Sequence, residues 1–440
     1  MNTKANSASR KRVLIITYYW PPSGGSSVLR WLKFTKYLAE FGWDVTIYTP
    51  ENPEPQAVDN SLLKEIPDNI NVLKTKIWEP YFIFKLFSGR SKEKGLAPGF
   101  ISTKKKNLFS DISIWVRGNF FIPDARKFWI RPSVKFLKCY LNEFPHDAII
   151  STGPPHTMHL IALALKLTTR IPWVADFRDP WTNIDYYQQL KLTKRADKKH
   201  RQLEQQVLMQ ADKVITVGPT MSKEFVEMGC KNVSTITNGF DSLPDDSITT
   251  EADENFTLLH VGSLPESRNP VILWKVLKSL SEQDAEFKKK LKIELIGHVD
   301  ISIIDALKYN QLIDSLMVKD YLPNQEVLKR ITEASVLLLI INNTQNATGI
   351  LTNKFFEYLT AKKPIVAIGP PKGDAGKILM ETNAGKILDY TDEEGTYNYL
   401  RQLFSNFVKG ILQVEVKNID KFNRRNLTKE LADLLDSVTP

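Results

Sequence analysis

The chain has 440 residues and a formal net charge of +9, and its 42% hydrophobic and 25% charged residues are ordinary for a globular protein of two or three domains. This composition excludes a mainly disordered chain and a collagen-like repeat, and two cysteines exclude a disulfide framework, so we expect a cytoplasmic protein. No apolar run reaches the roughly 18 residues that a spanning helix needs, and the apolar stretch after the basic N-terminus is too short for a signal peptide.

The first half of the chain begins with a βαβ pattern. Residues 12–19 predict a buried strand, residues 21–25 (PPSGG) break it, residues 26–41 have helical spacing, and residues 44–49 predict a second strand. Such a unit implies a parallel sheet. The pattern resumes after residue 131 with helices at 132–143, 156–167, 193–210 and 221–228 and strands at 146–152, 172–177, 213–217 and 233–237.

The second half repeats this pattern after an acidic, polar stretch. Its strands are predicted at 257–261, 292–296, 336–341, 364–368 and 386–388, and its helices at 271–281, 325–333, 353–361 and 374–381. We therefore expect a flexible basic tail at 1–11, a first domain at 12–240, a linker region at 241–255, a second domain at 256–415 and a C-terminal segment at 416–440. The helix predicted in that last segment, at 426–435, is expected to pack back on the first domain.

Open parallel sheets bind ligands outside the carboxyl ends of their strands. Two such domains facing each other predict a site in a deep cleft.

One stretch of the second half combines a loop, a helix start and a carboxylate. Leu351 and Thr352 lead into the helix predicted at 353–361, whose free amides and positive dipole end suit a phosphate. Glu357 lies one turn into this helix, and a carboxylate can accept two hydrogen bonds from a ribose diol. The alternative is an ion pair between Glu357 and Lys354, three residues earlier.

A second stretch, residues 260–270 (HVGSLPESRNP), follows the first strand of the second half. Arg268 in this loop is expected beside the cleft, where a guanidinium binds a diphosphate through its fork of donors. The alternative is a solvated loop arginine.

Several ligand-binding patterns are absent from the sequence: Asp-x-Asp, Cys-x-x-Cys, the P-loop and the Gly-x-Gly-x-x-Gly fingerprint. His156 and His159 are spaced i, i+3, but no third metal ligand is evident. We therefore expect no metal site and no cofactor.

The ordered set of motifs resembles the retaining glycosyltransferases of the GT-B fold, glycosyltransferase family 4, over nearly the whole chain. The stretches that carry the resemblance are VLIITYYWPPSGG at 13–25, PWVADFRDPW at 172–181, ADKVITVGP at 211–219, TNGFD at 237–241, HVGSLPESRNP at 260–270 and NKFFEYLTAKKPIVAI at 353–368. The resemblance implies an α/β fold of two Rossmann-like domains facing a central cleft, the first binding the acceptor and the second a nucleotide sugar.

The resemblance also implies that Arg268 holds the donor diphosphate and that Glu357 holds the donor ribose. The chain departs from the family at Ser263, where a basic residue is common, and at Gly349, where a glutamate is common. Lys354 is a candidate for the other phosphate contact. The implied mechanism has the acceptor attack the face from which the leaving group departs, without a protein nucleophile, while Arg268 and the helix amides stabilise the diphosphate charge.

Four positions in the first half are candidates for the site. Asp176 lies near the end of the strand at 172–177 and His156 starts a helix after another strand, so either could orient or deprotonate an acceptor hydroxyl. Gly24 and Gly25 let the first loop approach a ligand closely. The alternatives are a plain helix start for His156 and a tight turn without a ligand for the glycines.

The positive charge is concentrated in residues 74–138, which hold 15 basic, 4 acidic and 13 aromatic residues. We expect this segment to bind an anionic membrane surface, because basic and aromatic side chains together suit that interface. The alternative is an insertion whose aromatics pack on the core, and nucleic acid is the least favoured partner. Its prominent members are Trp78, Tyr81, Phe82, Phe84, Phe87, Lys104, Lys105, Lys106, Trp115, Phe120, Phe121, Phe128 and Trp129.

The expected function is therefore transfer of a sugar from a nucleotide sugar to a glycan or lipid-linked acceptor in cell-surface polysaccharide assembly, at the cytoplasmic face of the membrane. Two alternatives stay open: a nucleotide-sugar epimerase of the same fold, and a nucleotide-sugar-binding protein without turnover.

Overall fold

The computed structural model describes residues 10–54, 57–80, 108–241 and 254–439. These residues divide into two compact units. The first takes the described residues up to Thr237 together with those from Arg425 onward, and the second is formed within Asn238–Arg424. No helix in these four ranges is both long enough and apolar enough to cross a membrane.

The first unit contains a parallel sheet with helices between its strands. Its strands are β1 (Lys11–Ile16), β2 (Trp43–Pro50), β3 (Asn71–Thr75), β4 (Ala148–Gly153), β5 (Trp173–Phe177), β6 (Lys213–Thr216) and β7 (Val233–Thr235). Its helices are α1 (Ser26–Leu38), α2 (Leu108–Phe120), α3 (Ile130–Glu143), α4 (Thr157–Thr169), α5 (Lys194–Gln210) and α6 (Pro219–Glu227). The strand order is β3-β2-β1-β4-β5-β6-β7. The apolar run of β1, 13–16, is fully buried, as expected for a parallel sheet covered on both faces.

The second unit repeats this topology. Its strands are β8 (Phe256–Val261), β9 (Leu291–Ile296), β10 (Leu316–Lys319), β11 (Val336–Ile340), β12 (Ile365–Ile368) and β13 (Gly385–Leu388). Its helices are α7 (Val271–Gln283), α8 (Ala285–Lys290), α9 (Ile301–Tyr309), α10 (Asn324–Glu333), α11 (Asn353–Leu359), α12 (Asp374–Thr382) and α13 (Glu393–Val408). The strand order β10-β9-β8-β11-β12-β13 reverses beside the first strand, which creates the switch point at which such sheets bind ligands.

The last helix, α14 (Arg424–Val438), belongs almost entirely to the first unit. Leu427, Leu431 and Leu435 recur every four residues, and their side chains are buried in the core that contains β1 and β4. The helix therefore contributes to the stability of the first unit although the second unit lies between it and the rest of that unit in the chain.

The described parts of the basic aromatic segment, residues 74–80 and 108–138, are partly core and partly surface. Trp129 is buried, stacks on Tyr48 at 4.8 Å between ring centroids, and donates its indole N–H to Thr75 Oγ1 at 3.0 Å. Trp78 and Phe128, in contrast, are 57% and 45% exposed and contact each other edge to face. The predictions on Tyr81, Phe82, Phe84, Phe87 and Lys104–Lys106, and on residues 242–253 of the linker, lie outside the described residues.

Candidate active site

The carboxyl edge of the second sheet is shaped by two glycines with left-handed backbones. Gly262 follows β8 with φ 138° and Gly297 follows β9 with φ 122°. A Cβ atom on Gly297 would lie 2.6 Å from the Gly262 carbonyl oxygen, so the two loops approach each other more closely than any side chain permits. The Leu264 N–H also donates to the His298 carbonyl at 2.9 Å, which fixes the loop that carries Arg268.

Arg268 lies at this edge and connects the loops after β8 and β11. Its Nε–H donates to Asn342 Oδ1 and its Nη1 donates to the Ser263 carbonyl at 3.2 Å. Asn342 is buried, and its own carbonyl accepts a 2.7 Å hydrogen bond from the Tyr390 hydroxyl. Because β8 and β11 flank the switch point, the structure anchors a half-exposed guanidinium where an anionic ligand is expected.

Glu357 is buried in α11, and its Oε2 lies 2.7 Å from Lys354 Nζ. Lys354 Nζ also donates to Asn324 Oδ1 at 3.1 Å. The ion pair named as an alternative at the sequence level is therefore present. Both side chains are held in one place, which leaves a carboxylate and an ammonium side by side near the helix start.

The residues before α11 form the start of a short helix. Thr352 is the N-cap residue with extended backbone, and its hydroxyl makes no capping bond, while Leu351 is buried in the apolar core. Because α11 has only seven residues, its dipole is small, and the fixed charges of Lys354 and Arg268 are the stronger attraction for an anion. Gly349 is the last residue of a 3₁₀ turn, and its N–H donates to the Asn346 carbonyl at 3.1 Å.

In the first unit, His156 lies just after β4 and precedes α4. Its ring is buried and stacks on Trp181 with centroids 4.6 Å apart and planes inclined by 2°. Burial lowers the pKa of His156 well below its ordinary value, and the nearby His159 and His200 lower it further. The imidazole is therefore neutral at pH 7 and can accept or donate a hydrogen bond without carrying charge.

Gly153 is the reason that His156 and His159 both fit beside the end of β4. A Cβ atom at this position would lie 2.5 Å from His159 Nε2 and 3.1 Å from His156 Nδ1. His159 is fully buried, its Nδ1 contacts Ser151 Oγ at 2.8 Å, and burial lowers its pKa to about 3.

Asp176 is fully buried in β5, and three side chains donate to its carboxylate. Arg30 forms an ion pair at 2.9 Å, and Trp31 Nε1 and Thr152 Oγ1 each donate to Oδ2 at 2.8 Å. Arg30 also donates to the carbonyls of 236 and 237, both at 2.8 Å. These bonds hold α1 against β4 and β5. The Asp176 carboxylate is occupied by them and is not exposed, so it supports the strand ends and does not face a ligand.

The loop with Gly24 and Gly25 leads into α1. Gly25 is the N-cap residue with φ 92° and ψ 175°, a conformation that only glycine adopts readily, and Gly24 N–H donates to the Ala57 carbonyl at 2.8 Å. Arg178 ties this region to the β4 loop, because Nη1 donates to the Ser27 carbonyl at 3.0 Å and Nη2 donates to the Pro154 carbonyl.

The comparisons with known proteins agree with this two-unit architecture. Residues 28–242, just under half of the chain, match the family model described as Glycosyltransferase Family 4. No curated protein matches the chain.

Three solved structures of low identity share the fold. WaaG, a glycosyltransferase involved in lipopolysaccharide biosynthesis, is 14% identical with a TM-score of 0.56, covering 96% of this chain and 99% of its own. Anabaena HepE in complex with UDP-glucose is 13% identical with a TM-score of 0.58, covering 97% and 99%. A putative UDP-N-acetylglucosamine 2-epimerase from Listeria monocytogenes is 10% identical with a TM-score of 0.55, covering 97% and 96%.

The chain is a glycosyltransferase of the GT-B fold. This confirms the fold and the enzyme class expected from the sequence.

Sequence reasoning did not assign a role to several residues of this glycosyltransferase. Trp181 and His200 contact each other next to His156, and Arg30 is the charge partner of Asp176. Trp181 lies inside the PWVADFRDPW stretch, so its motif was visible, but Arg30 lies 146 residues from its partner and no local signal connects them. Within the described parts of the chain, no group of three or more His, Cys, Asp or Glu side chains could hold a metal ion.

Proposed function

We propose that this glycosyltransferase moves a sugar from a nucleotide-diphosphate sugar to a glycan or lipid-linked acceptor in cell-surface polysaccharide assembly. The family match supports the reaction class, and a structural neighbour that acts in lipopolysaccharide biosynthesis supports the class of acceptor. The observation that carries the proposal is Arg268, whose guanidinium is anchored to Asn342 and Ser263 at the switch point of the second sheet.

In the proposed reaction, the bond between the anomeric carbon and the donor phosphate oxygen breaks. The acceptor oxygen bonds to that carbon on the same face, and its proton passes to the departing diphosphate, so the configuration is retained. No protein nucleophile, metal or cofactor takes part. Arg268 stabilises the charge that grows on the diphosphate, with Lys354 as a second cation.

The other site residues bind and orient the substrates. Glu357 accepts hydrogen bonds from the donor ribose, Leu351 and Thr352 shape the approach to α11, and Gly24 and Gly25 leave room for a ligand beside α1. His156 offers a neutral imidazole to a substrate hydroxyl. Asp176 supports this side of the site through Arg30 rather than by touching a substrate.

Arg268 provides the test. Replacing Arg268 with Ala should lower kcat on the order of 10²-fold, comparable to losing one oxyanion donor. Arg268→Lys should recover only part of this, because a point charge cannot reproduce the fork of donors. Steady-state kinetics with the donor varied, together with melting curves to show that both variants fold, measures the effect. Unchanged kinetics in Arg268→Ala would remove the diphosphate role.

The alternatives predict different products from the donor alone. An epimerase would convert a nucleotide sugar without any acceptor, and a binding protein would release no nucleotide with any acceptor. Transfer should also survive EDTA because the sequence lacks Asp-x-Asp, and loss of activity rescued by magnesium or manganese would contradict metal independence.

We further propose that residues 74–138 hold the enzyme on an anionic membrane at the cytoplasmic face. Exposed Trp78 and Phe128, with Lys127 Nζ 5.1 Å from the Phe128 ring centroid, form an aromatic and basic surface in the described part of this segment. Replacing Lys104, Lys105 and Lys106 with Glu should release the protein from anionic vesicles, since each basic residue contributes about 1 kcal/mol there. Equal binding to neutral and anionic vesicles would contradict this.

A further inference from the structure

The rings of His156 and Trp181 form a stack in the first unit. The two rings are nearly parallel, both side chains are buried, and Nδ1 of His156 has no hydrogen-bond partner in the protein. A hydrogen bond on Nδ1 therefore does not set the angle of the imidazole. The indole is the nearest ring and lies parallel to the imidazole, whereas the rings of His159 and Phe177 lie 5.8 and 5.9 Å away and are inclined by 34° and 35°. The flat face of the indole is therefore the main contact against tilting of the imidazole.

Trp181 is itself held at two points by α5. Its backbone N–H donates to Glu204 Oε1 at 3.1 Å, and its indole Nε1–H donates to His200 Nδ1 at 3.0 Å. Glu204 also accepts from the backbone N–H and the hydroxyl of Thr182, at 3.2 and 2.5 Å. Both α5 side chains are buried, so these bonds are shielded from competing water.

The tautomer of His200 follows from this contact. An indole N–H can only donate, so Nδ1 of His200 must be the unprotonated acceptor and Nε2 must carry the proton. Nε2 lies 3.4 Å from the Gly118 carbonyl in α2, which can accept it. Gly118 cannot carry a side chain, because its Cβ would lie 2.7 Å from Leu192 Cδ2 and 2.9 Å from the Leu190 carbonyl.

We infer that Trp181 is a positioning residue, held by His200 and Glu204, that fixes the imidazole plane of His156 toward a hydroxyl of the sugar substrate. This rests on the proposed function, in which His156 meets such a hydroxyl. The bonds from α2 and α5 thereby determine the angle of a side chain that begins a different helix, α4. Loss of the stack leaves His156 present and neutral but able to tilt toward the space left by the indole, and a misdirected hydrogen bond weakens steeply with angle.

The experiment records NMR spectra of the full chain with isotope-labelled histidine. The chain has six histidines, so the spectrum contains few resonances. The His156 resonance is assigned with His156→Gln. In the wild type it should carry the ring-current shift of an indole at 4.6 Å. Trp181→Ala should abolish this shift and lower kcat by about 10²-fold, the scale of a small misplacement at a reacting centre. The affinity for the nucleoside diphosphate should not change, because its proposed contacts lie in the second unit.

Two conservative variants separate positioning from folding. Trp181→Phe keeps a stacked ring but loses the indole N–H, so it should retain part of the shift and part of kcat. His200→Asn offers an amide oxygen near the position of Nδ1 and should retain more kcat than His200→Ala. Tyr187→Phe is the matched control, because its ring also contacts His200 and only its hydroxyl bond to Asp197 is lost; its kcat and the His156 resonance should stay unchanged.

The outcomes that overturn the inference are distinct from failure of the proposed function. A His156 resonance that is unchanged in Trp181→Ala would remove the stack as the cause of the ring's orientation. A shifted resonance with wild-type kcat in Trp181→Ala would remove its consequence for catalysis. Wild-type kcat in His156→Gln would instead remove the proposed role of His156 itself, and with it the functional half of the inference, while the resonance would still report the stack.

Discussion

The carboxylate of Asp176 has no exposed surface, and its charge is balanced by Arg30, which is 4% exposed. Two further donors, from Trp31 and Thr152, satisfy one of its oxygens. A buried ion pair of this kind contributes little when intact relative to an apolar pair, but removing one partner leaves the other charge buried and uncompensated.

Asp176→Asn should therefore destabilise the first unit by about 3–5 kcal/mol, because the Arg30 guanidinium loses its counter-ion. Denaturant unfolding measures this change. Asp68→Asn is the matched control: the same substitution at an exposed turn position of the same unit should change the free energy of unfolding by no more than about 0.5 kcal/mol. An Asp176→Asn protein with wild-type stability and a much lower kcat would instead make Asp176 a direct participant in the chemistry.

Glu357 is expected to act on donor binding in the ground state and the transition state alike. Glu357→Gln keeps the size of the side chain but loses its charge and the ion pair with Lys354. The donor KM should rise about tenfold with little change in kcat, since a hydrogen bond to a charged group contributes about 1.5–3 kcal/mol. Steady-state kinetics with the donor varied measures both constants, and a fall in kcat at constant KM would assign Glu357 to the chemical step.

At the scale of elements, the sequence predicts the buried strands well and the exposed ones poorly. The strands β1, β4, β5, β8, β11 and β12 are rich in buried apolar residues, so their pattern is visible locally. The strands β3 and β10, each at one edge of its sheet, escaped prediction and have mostly exposed or half-buried side chains. Neither has the buried apolar run that identifies a central strand. The strands at the opposite edges, β7 and β13, were predicted, so edge position alone does not hide a strand.

The candidate site also contains residues that the sequence could identify and residues that it could not. Arg268 and Glu357 could be named because each follows a predicted strand or starts a predicted helix within a recognisable motif. The ion pair of Arg30 with Asp176, and the bond between Gly118 and His200, join residues 146 and 82 positions apart, so only the folded chain brings them together. Sequence patterns within one element carry no information about such partners.

The last helix, α14, packs its leucines into the core of the first unit. Leu431 is fully buried in α14, in the core of the first unit, so Leu431→Ala should lower the stability of that unit by about 2–5 kcal/mol through lost burial and a residual cavity. The unfolding of the second unit should not change. Asp433→Ala, in the same helix but 63% exposed, is the control and should lose at most a few tenths of a kcal/mol from its pair with Lys429. Differential scanning calorimetry reports both units, and an unchanged first unit in Leu431→Ala would mean that α14 contributes no core energy.

Over the whole molecule, burial lowers the pKa of five histidines, and four of them lie in the first unit. These are His146, His156, His159 and His200 in the first unit and His260 in the second, where burial lowers the pKa to about 4. A histidine whose folded pKa is depressed stays neutral in the folded protein while the unfolded chain takes up a proton below about pH 6.5. Its contribution to stability is therefore present above pH 6.5 and is lost as the pH falls toward the folded pKa.

Two buried carboxyl groups have the opposite effect on the pH dependence of stability, and they act at lower pH. Burial raises the pKa of Glu79 and Glu204, so the folded protein binds protons there before the unfolded chain does. Acidification therefore favours the folded state at these two groups, and their effect begins as the pH approaches their raised values. The loss of stability caused by the histidines should therefore be clearest just below pH 6.5.

Between pH 7.5 and 5.5 the free energy of unfolding should fall for both units, and more steeply for the first. Each buried histidine can contribute up to about 1.4 kcal/mol per pH unit below pH 6.5. His159→Gln should lower stability at pH 7.5 because it loses the contact with Ser151, yet flatten the pH dependence of the first unit alone. His260→Gln is the counterpart and should flatten only that of the second unit. Denaturant unfolding at closely spaced pH values resolves the slopes. A slope unaltered in His159→Gln would mean that the folded protein protonates His159 as readily as the unfolded chain does, which contradicts its lowered pKa. Equal slopes for the two units would contradict the larger share of such histidines in the first unit.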